Sequence, residues 1–192
     1  MKSSLLKKNL IAIFSLTLVC LMIASIISAV SASTINNYFD GKGAIAQWSI
    51  GGPGGPHTIN AIVDMSNSGK DGEIYLSIVH PLKGTSEAAG SVNFKWSMDH
   101  VTVETTLTFS GAPGRTGPHN ITISWQTEGP TSNEQLTANT ANGLTASING
   151  AWKLGVAELS ILDSSGHHDG DDYTSSWAII VHGTADITLT TP

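Results

Sequence analysis

The chain has 192 residues, with 9 basic and 15 acidic side chains, a formal net charge of −6 and a single cysteine. This acidic balance disfavours nucleic acid and anionic lipid as partners, and it leaves cations, carbohydrates and proteins. The length fits one domain that buries a core without disulfides.

Residues 1–32 have the layout of a secretory signal peptide. Three lysines in the first eight residues precede an uncharged apolar run, Leu10–Ile27, and small residues follow it up to Ala32. We expect cleavage after Ala32. The segment 33–192 is then a single domain outside the cytoplasm, either secreted or at the cell surface.

The apolar run leaves two alternatives open. It is longer than a typical signal-peptide core of roughly 7–15 residues, and about 20 apolar residues span a bilayer. Residues 10–27 would then be an uncleaved membrane anchor. The segment Lys7–Leu10 loosely resembles a class III prepilin processing site, which would retain the run as a filament helix. Cys20 follows Val19, which does not fit a lipoprotein signal, and its removal with the leader excludes any disulfide.

The segment after the leader alternates apolar and polar residues with a period of two, which predicts β-strands with one buried face. The predicted strands are Ala44–Ile50, Ile59–Met65, Ile74–Ile78, Val92–Met98, Val101–Phe109, Ile121–Trp125, Leu144–Trp152, Leu159–Ile161, Trp177–Val181 and Ala185–Leu189.

Turns rich in glycine and proline separate several of these strands, as in residues 51–56 and 111–118. Many short strands with such turns indicate an all-β fold, either a sandwich or a barrel. We favour an antiparallel two-sheet β-sandwich of the immunoglobulin-like or jelly-roll kind. Residues 131–143 are polar and irregular, and they predict a long loop or a short helix.

The densest polar cluster is the segment 163–172, which lies between two predicted strands. Carboxylates suit Ca²⁺, and imidazoles add affinity for Zn²⁺. The spacing does not fit an EF-hand, and a solvated acidic turn explains the same residues. The candidate metal ligands are Asp163, His167, His168, Asp169, Asp171 and Asp172.

Five tryptophans fall on predicted strands. Trp48, Trp96 and Trp125 share the apolar phase of their strands, which predicts core positions. Trp152 and Trp177 lie at strand ends and are the candidates for stacking on a carbohydrate ligand, although packing against the core explains them better, since large aromatic residues dominate cores.

The remaining signals are weak. Asn120 begins the only N-x-S/T sequon, which export would expose to glycosylation. The chain contains no G-x-S-x-G nucleophile motif and no HExxH motif. We therefore assign no catalytic residue and expect a protein that is not an enzyme.

The segment Trp177–Ile187 resembles the C-terminal end of exported bacterial β-sandwich proteins whose activity is uncharacterised. Leu107–Phe109 and Ile121–Trp125 resemble their central strands. The resemblance implies export and a β-sandwich fold, and it implies no site.

Three functional hypotheses follow. The first is a secreted or cell-surface protein without catalytic activity that binds carbohydrate or protein, or assembles, at the cell envelope. The second is a structural filament subunit, in which Ser33–Asp40 adds to the sheet edge of a neighbouring subunit or the leader is retained. The third is a secreted hydrolase that uses a His/Asp metal loop within 163–172.

Overall fold

The computed structural model describes residues 33–51, 56–65, 71–80, 84–111, 117–139, 143–163 and 173–191. The predictions for residues 1–32, including signal cleavage, lie outside these ranges. The described strands belong to one compact unit, and every pairing between them is antiparallel. The predicted antiparallel all-β class is confirmed.

Within the described residues there are eleven strands. They are β1 (Ser33–Ile50), β2 (His57–Asp64), β3 (Asp71–His80), β4 (Gly84–Trp96), β5 (His100–Thr108), β6 (Ser110–Gly111), β7 (Pro118–Thr127), β8 (Leu136–Asn139), β9 (Leu144–Leu162), β10 (Tyr173–Thr174) and β11 (Trp177–Thr191). Two pairs of predicted strands are therefore single long strands, β9 and β11. Strand β1 also begins well before its predicted start at Ala44.

Eight strands form a closed ring. The sheet runs in the order β9, β11, β1, β2, β3, β4, β5, β7, and β7 pairs back with β9. Inward-facing residues fill this ring as the first apolar core. Trp48 and Trp125 are fully buried there, and the Trp125 indole N–H donates to the Ile45 carbonyl at 3.1 Å. The predicted core positions of Trp48 and Trp125 are confirmed.

Three glycines lie side by side across the long strands. Gly41 of β1 is opposite Gly183 of β11, which is opposite Gly150 of β9. Gly41 has a φ of 125° and Gly150 a φ of 134°, values that side chains with a Cβ rarely adopt. A Cβ on Gly183 would lie 2.7 Å from the Gly150 Cα. We call these three residues the glycine row.

At the glycine row the three long strands fold back over the outside of the ring. The folded-back part, here the flap, comprises Ser33–Asp40, residues 144–149 and residues 184–191, with β8 paired along its far edge. The Phe39 ring fills the space over Gly43, which places the flap directly on the ring wall. Part of the segment 131–143 is thus a strand, and the described residues contain no helix there.

A second apolar core lies between the flap and the ring. Both layers contribute to it: the flap supplies Phe39, Leu144, Ala146, Ile148, Ala185, Ile187 and Leu189, and the ring supplies Ile45, Ile62, Ile179 and Val181. The described strands therefore form one continuous hydrogen-bonded sheet that is two layers deep only under the flap. We call this part of the ring the covered half.

The outer surface of β4, β5 and β7 forms the bare half. Its outward-facing side chains are polar, and they include Asn93, Lys95, Thr102, Glu104, Thr122 and Ser124. The covered half also contains a polar row, but a buried one. The Gln47 amide donates to the Asn60 side chain at 2.8 Å, and the Asn60 amide donates to Ser77 at 3.2 Å.

Candidate functional site

A cleft of about 320 Å³ lies where the edge of the flap meets the outer wall of the ring. One of its sides is strand β1 of the flap, and its floor is formed by β2, β3 and β4. The lining residues are Asn37, Asp64, Glu73, Ile74, Tyr75, Ala89, Gly90 and Ser91. The volume falls at the lower end of the range of roughly 300–1,000 Å³ that is typical of ligand pockets.

The strand register brings the polar lining residues together. Asp64 on β2 is directly opposite Glu73 on β3, and Glu73 is directly opposite Ser91 on β4. Tyr75 is two residues along β3, so its side chain points to the same face. Asn37 approaches from the flap. Side chains distant in sequence thus converge because neighbouring strands share one outward phase.

The cleft is acidic. Directly opposite side chains on antiparallel strands have Cβ atoms about 4.5–5.5 Å apart, and two like charges in that position repel each other. Asp64 and Glu73 form such a pair, and the lining residues that the structure describes include no lysine, arginine or histidine. The cleft therefore favours a ligand that donates hydrogen bonds or carries positive charge.

Tyr75 gives the cleft a neutral phenol. Burial, followed by the charge of Glu87, raises the pKa of Tyr75 well above its ordinary value. The hydroxyl is buried, with the side chains of Glu87 and Ser77 beside it. Tyr75 thus contributes ring surface and a protonated hydroxyl at physiological pH.

The predicted metal loop lies mostly outside the described residues. Asp163 follows the end of β9 and is half-buried, whereas His167, His168, Asp169, Asp171 and Asp172 fall in the segment that the structure does not describe. Across the described ranges, no group of three or more histidine, cysteine, aspartate or glutamate side chains is placed to hold a metal. A Ca²⁺ or Zn²⁺ site in this loop stays a prediction.

The two tryptophans predicted as stacking candidates both pack against the second core. The Trp152 indole N–H donates to the Glu134 carbonyl at 2.7 Å, which holds the ring beside β8. Trp177 lies opposite Gln47 on β1. Both contacts are structural, and stacking on a carbohydrate stays a prediction for either residue.

Asn120, the predicted glycosylation site, has an exposed side chain on β7. Its carbonyl oxygen accepts a hydrogen bond from the Thr106 hydroxyl at 2.8 Å. The sequon is therefore at the surface, and its glycosylation stays a prediction.

A second, larger groove of about 540 Å³ lies on the bare half. It is lined by Asn93, Phe94, Lys95, His100, Thr102 and Glu104, all from β4 and β5. His100 and Thr102 are joined by a hydrogen bond of 2.7 Å. Because this groove has walls from only two adjacent strands and mixes positive with negative charge, it selects a ligand less sharply than the cleft does.

Trp96 closes one end of the ring instead of lying in the core. It is half-buried, the Lys42 ammonium lies 4.5 Å from its ring centroid, and the His182 ring meets it edge-on at 5.7 Å. This cluster caps the first core, so Trp96 is only partly at the predicted core position.

Sequence reasoning does not single out Asn37, Asp64, Glu73 or Tyr75 as a site. Asp64 and Glu73 face the turn between β2 and β3 from either side, which is the signal that could have suggested their pairing. The contribution of Asn37 depends on the flap, which no local pattern reveals.

Comparison of the chain with protein-family models, with curated proteins and with solved structures finds no match. In the part of the chain that the structure describes, no helix is long and apolar enough to cross a membrane.

Proposed function

We propose that this protein is exported to the cell surface and acts there without catalysis, by binding a carbohydrate or a protein segment in the cleft. One observation carries the proposal: polar groups from the flap and from three ring strands converge on a single concavity. The leader layout of residues 1–32 and the resemblance to exported bacterial β-sandwich proteins support the location. The flap over the covered half supports a sandwich description for that side of the molecule.

The chemistry of the cleft defines the ligand class. Asp64 and Glu73 supply carboxylate acceptors, and the Asn37 amide supplies both a donor and an acceptor. Sugar hydroxyls, backbone N–H groups and cationic side chains all donate to carboxylates through strong, charge-assisted hydrogen bonds. The carboxylates of Asp64 and Glu73 disfavour anionic ligands.

Binding in the cleft is tested by NMR titration of the secreted protein with cellotetraose, with N-acetyl-lysine amide and with heparin. We expect the amide signals of Asn37, Glu73 and Ser91 to shift with one of the first two probes and not with heparin. Shifts confined to the bare half, or no shift with any probe, would overturn the proposal.

Two matched substitutions locate the site. Glu73→Gln removes a carboxylate from the cleft, and Glu104→Gln removes one from the groove on the bare half; both side chains are exposed. We expect only Glu73→Gln to weaken binding, by about tenfold for a lost charge-assisted contact. The reverse result would assign binding to the groove.

The two alternative functions have separate tests. The N-terminal residue of the protein recovered from culture distinguishes a released domain beginning at Ser33 from a filament subunit beginning at Leu10 and from an anchored chain beginning at Met1. For a hydrolase with a metal loop, Ca²⁺ or Zn²⁺ must raise the melting temperature, because a ligand of the native state stabilises it. Asp169→Ala and His167→Ala must abolish that rise.

A further inference from the structure

We propose that the free edge of β1 in the flap binds an extended, positively charged segment of a partner protein by strand addition. This inference rests on the proposed function, because the added strand would occupy the cleft. It names the partner as a protein rather than a carbohydrate.

Strand β1 is paired on only one side in the described part of the flap. Over residues 33–42, β1 pairs with β11 on one side, and β2 joins it only from Gly43 onwards. Among the described residues no strand pairs with the other side of this ten-residue stretch. The opposite edge of the flap carries β8, which pairs with β9. Of the two flap edges, one is thus shielded, and the other is unpaired within the described strands.

The main-chain N–H and C=O groups at this edge belong to alternate residues of β1. The Met65 N–H donates to the Lys42 carbonyl at 2.9 Å, so even-numbered residues of β1 direct their main chain away from β11. The Thr190 N–H donates to the Gly143 carbonyl at 3.0 Å, which leaves the odd-numbered residues of β11 to bond with β1. Because bonding alternates along an antiparallel pair, the N–H and C=O groups that face the open edge belong to Thr34, Asn36, Tyr38 and Asp40.

The β1 edge of the flap lacks the features that protect natural edge strands from pairing with other chains. Natural edge strands avoid pairing with other chains by means of proline, inserted lysines, bulges or very short length. Residues 33–41 contain no proline and no lysine, and their pairing with β11 is unbroken. The side chains of Asn36, Tyr38 and Asp40 are exposed, Tyr38 by 57%. Among the residues that the structure describes, this edge is therefore open to a further strand.

The surface beside this edge carries acidic side chains. A strand added at this edge would lie over the outer wall of β3 and β4, where its side chains meet Asp64 and Glu73. A lysine or arginine in the added strand would form a charge-assisted contact with the exposed Glu73 carboxylate. A second copy of this acidic chain carries the same charge and is disfavoured, and a carbohydrate has no backbone with which to extend the sheet.

The test uses two capped octapeptides, TVTKTVTV and TVTETVTV, titrated calorimetrically into the secreted protein alongside cellotetraose. We expect the lysine peptide to bind at least about tenfold more tightly than the glutamate peptide. Glu73→Gln should reduce that preference, because it removes one of the two carboxylates.

Strand addition is separated from simple charge attraction by a matched pair of variants. Tyr38→Pro removes an edge-facing N–H while leaving the pairing with β11 intact, and Tyr38→Ser removes only the exposed ring. We expect Tyr38→Pro to abolish binding and Tyr38→Ser to change it by less than about threefold, as for an exposed contact. Should Tyr38→Pro fail to fold, a lysine peptide N-methylated at alternate residues makes the same test without altering the protein.

Three results would overturn the inference. Undiminished binding of the N-methylated peptide rules out strand addition, and equal binding of the two octapeptides rules out the charge requirement. Cellotetraose binding in the cleft without peptide binding would uphold the proposed function and reject the protein partner. If no probe shifts the cleft signals, the proposed function fails as well.

Discussion

The two halves of the ring's outer surface differ in the burial of their outward-facing side chains. On the covered half, outward-facing Ile45, Ile62 and Ile179 are 0–1% exposed because the flap lies over them. On the bare half, outward-facing Thr122 and Glu104 are exposed to solvent. The same ring of antiparallel strands therefore has apolar residues on both faces along one side and on only the inner face along the other.

The sequence pattern of the strands reflects this difference. Strands buried on both faces read as near-continuous apolar runs, whereas half-buried strands alternate. The runs Ala61–Val63 and Ala178–Val181 belong to covered strands, and the alternating segment Ile121–Trp125 belongs to a bare one. An apolar run in an antiparallel all-β chain thus indicates a second layer over that strand. The cleft lies at the edge of the flap, where that second layer ends.

The largest expected effect comes from breaking the glycine row that creates the covered half. A side chain on Gly183 would collide with the backbone of Asn149 and Gly150, so the flap must shift as a unit. We expect Gly183→Val to lower the free energy of unfolding by more than about 4 kcal/mol, measured by urea denaturation. Gly51→Ala is the control, because nothing lies within 4 Å of its added Cβ. Equal stability of the two variants would refute the role of the row.

A smaller effect separates the two halves directly. Ile62→Ala and Thr122→Ala each truncate an outward-facing residue in the middle of a ring strand. We expect a loss of about 2–5 kcal/mol for Ile62→Ala, which opens a cavity in the second core, and of less than about 0.5 kcal/mol for Thr122→Ala. Thermal and urea unfolding measure both. A cost for Thr122→Ala that matched Ile62→Ala would mean that the bare half is also covered.

The smallest expected effect is a change in how stability depends on pH, through Tyr75 at the edge of the flap. Because burial raises the pKa of Tyr75, the folded state retains a proton that the unfolded chain releases near pH 10. The contribution of Tyr75 to stability is complete below about pH 10 and decreases as the pH rises further. We expect Tyr75→Phe to flatten the loss of stability between pH 9 and pH 11, and Tyr38→Phe, at an exposed ring, is the matched control. An identical slope in both variants would contradict this account.

Local pattern predicts much of this fold and little of the site. Period-two alternation correctly predicts the all-β class and the burial of Trp48 and Trp125, since both depend only on which face of a strand is apolar. The closing of the ring through β7 and β9 depends on long-range pairing, which no local period encodes. The cleft requires both the register that sets Asp64 opposite Glu73 and the flap that brings Asn37 over them.

The pairing of β1 with β11 joins the two ends of the part of the chain that the structure describes. Strand β1 pairs with β11 from Ser33 opposite Thr191 onwards, so β1 must wait for β11 before it can complete its pairing. Sheets dominated by such non-local contacts fold slowly, in milliseconds to seconds. The ring therefore closes only after β11 has been synthesised, whereas hairpins between consecutive strands such as β2 and β3 can form before it.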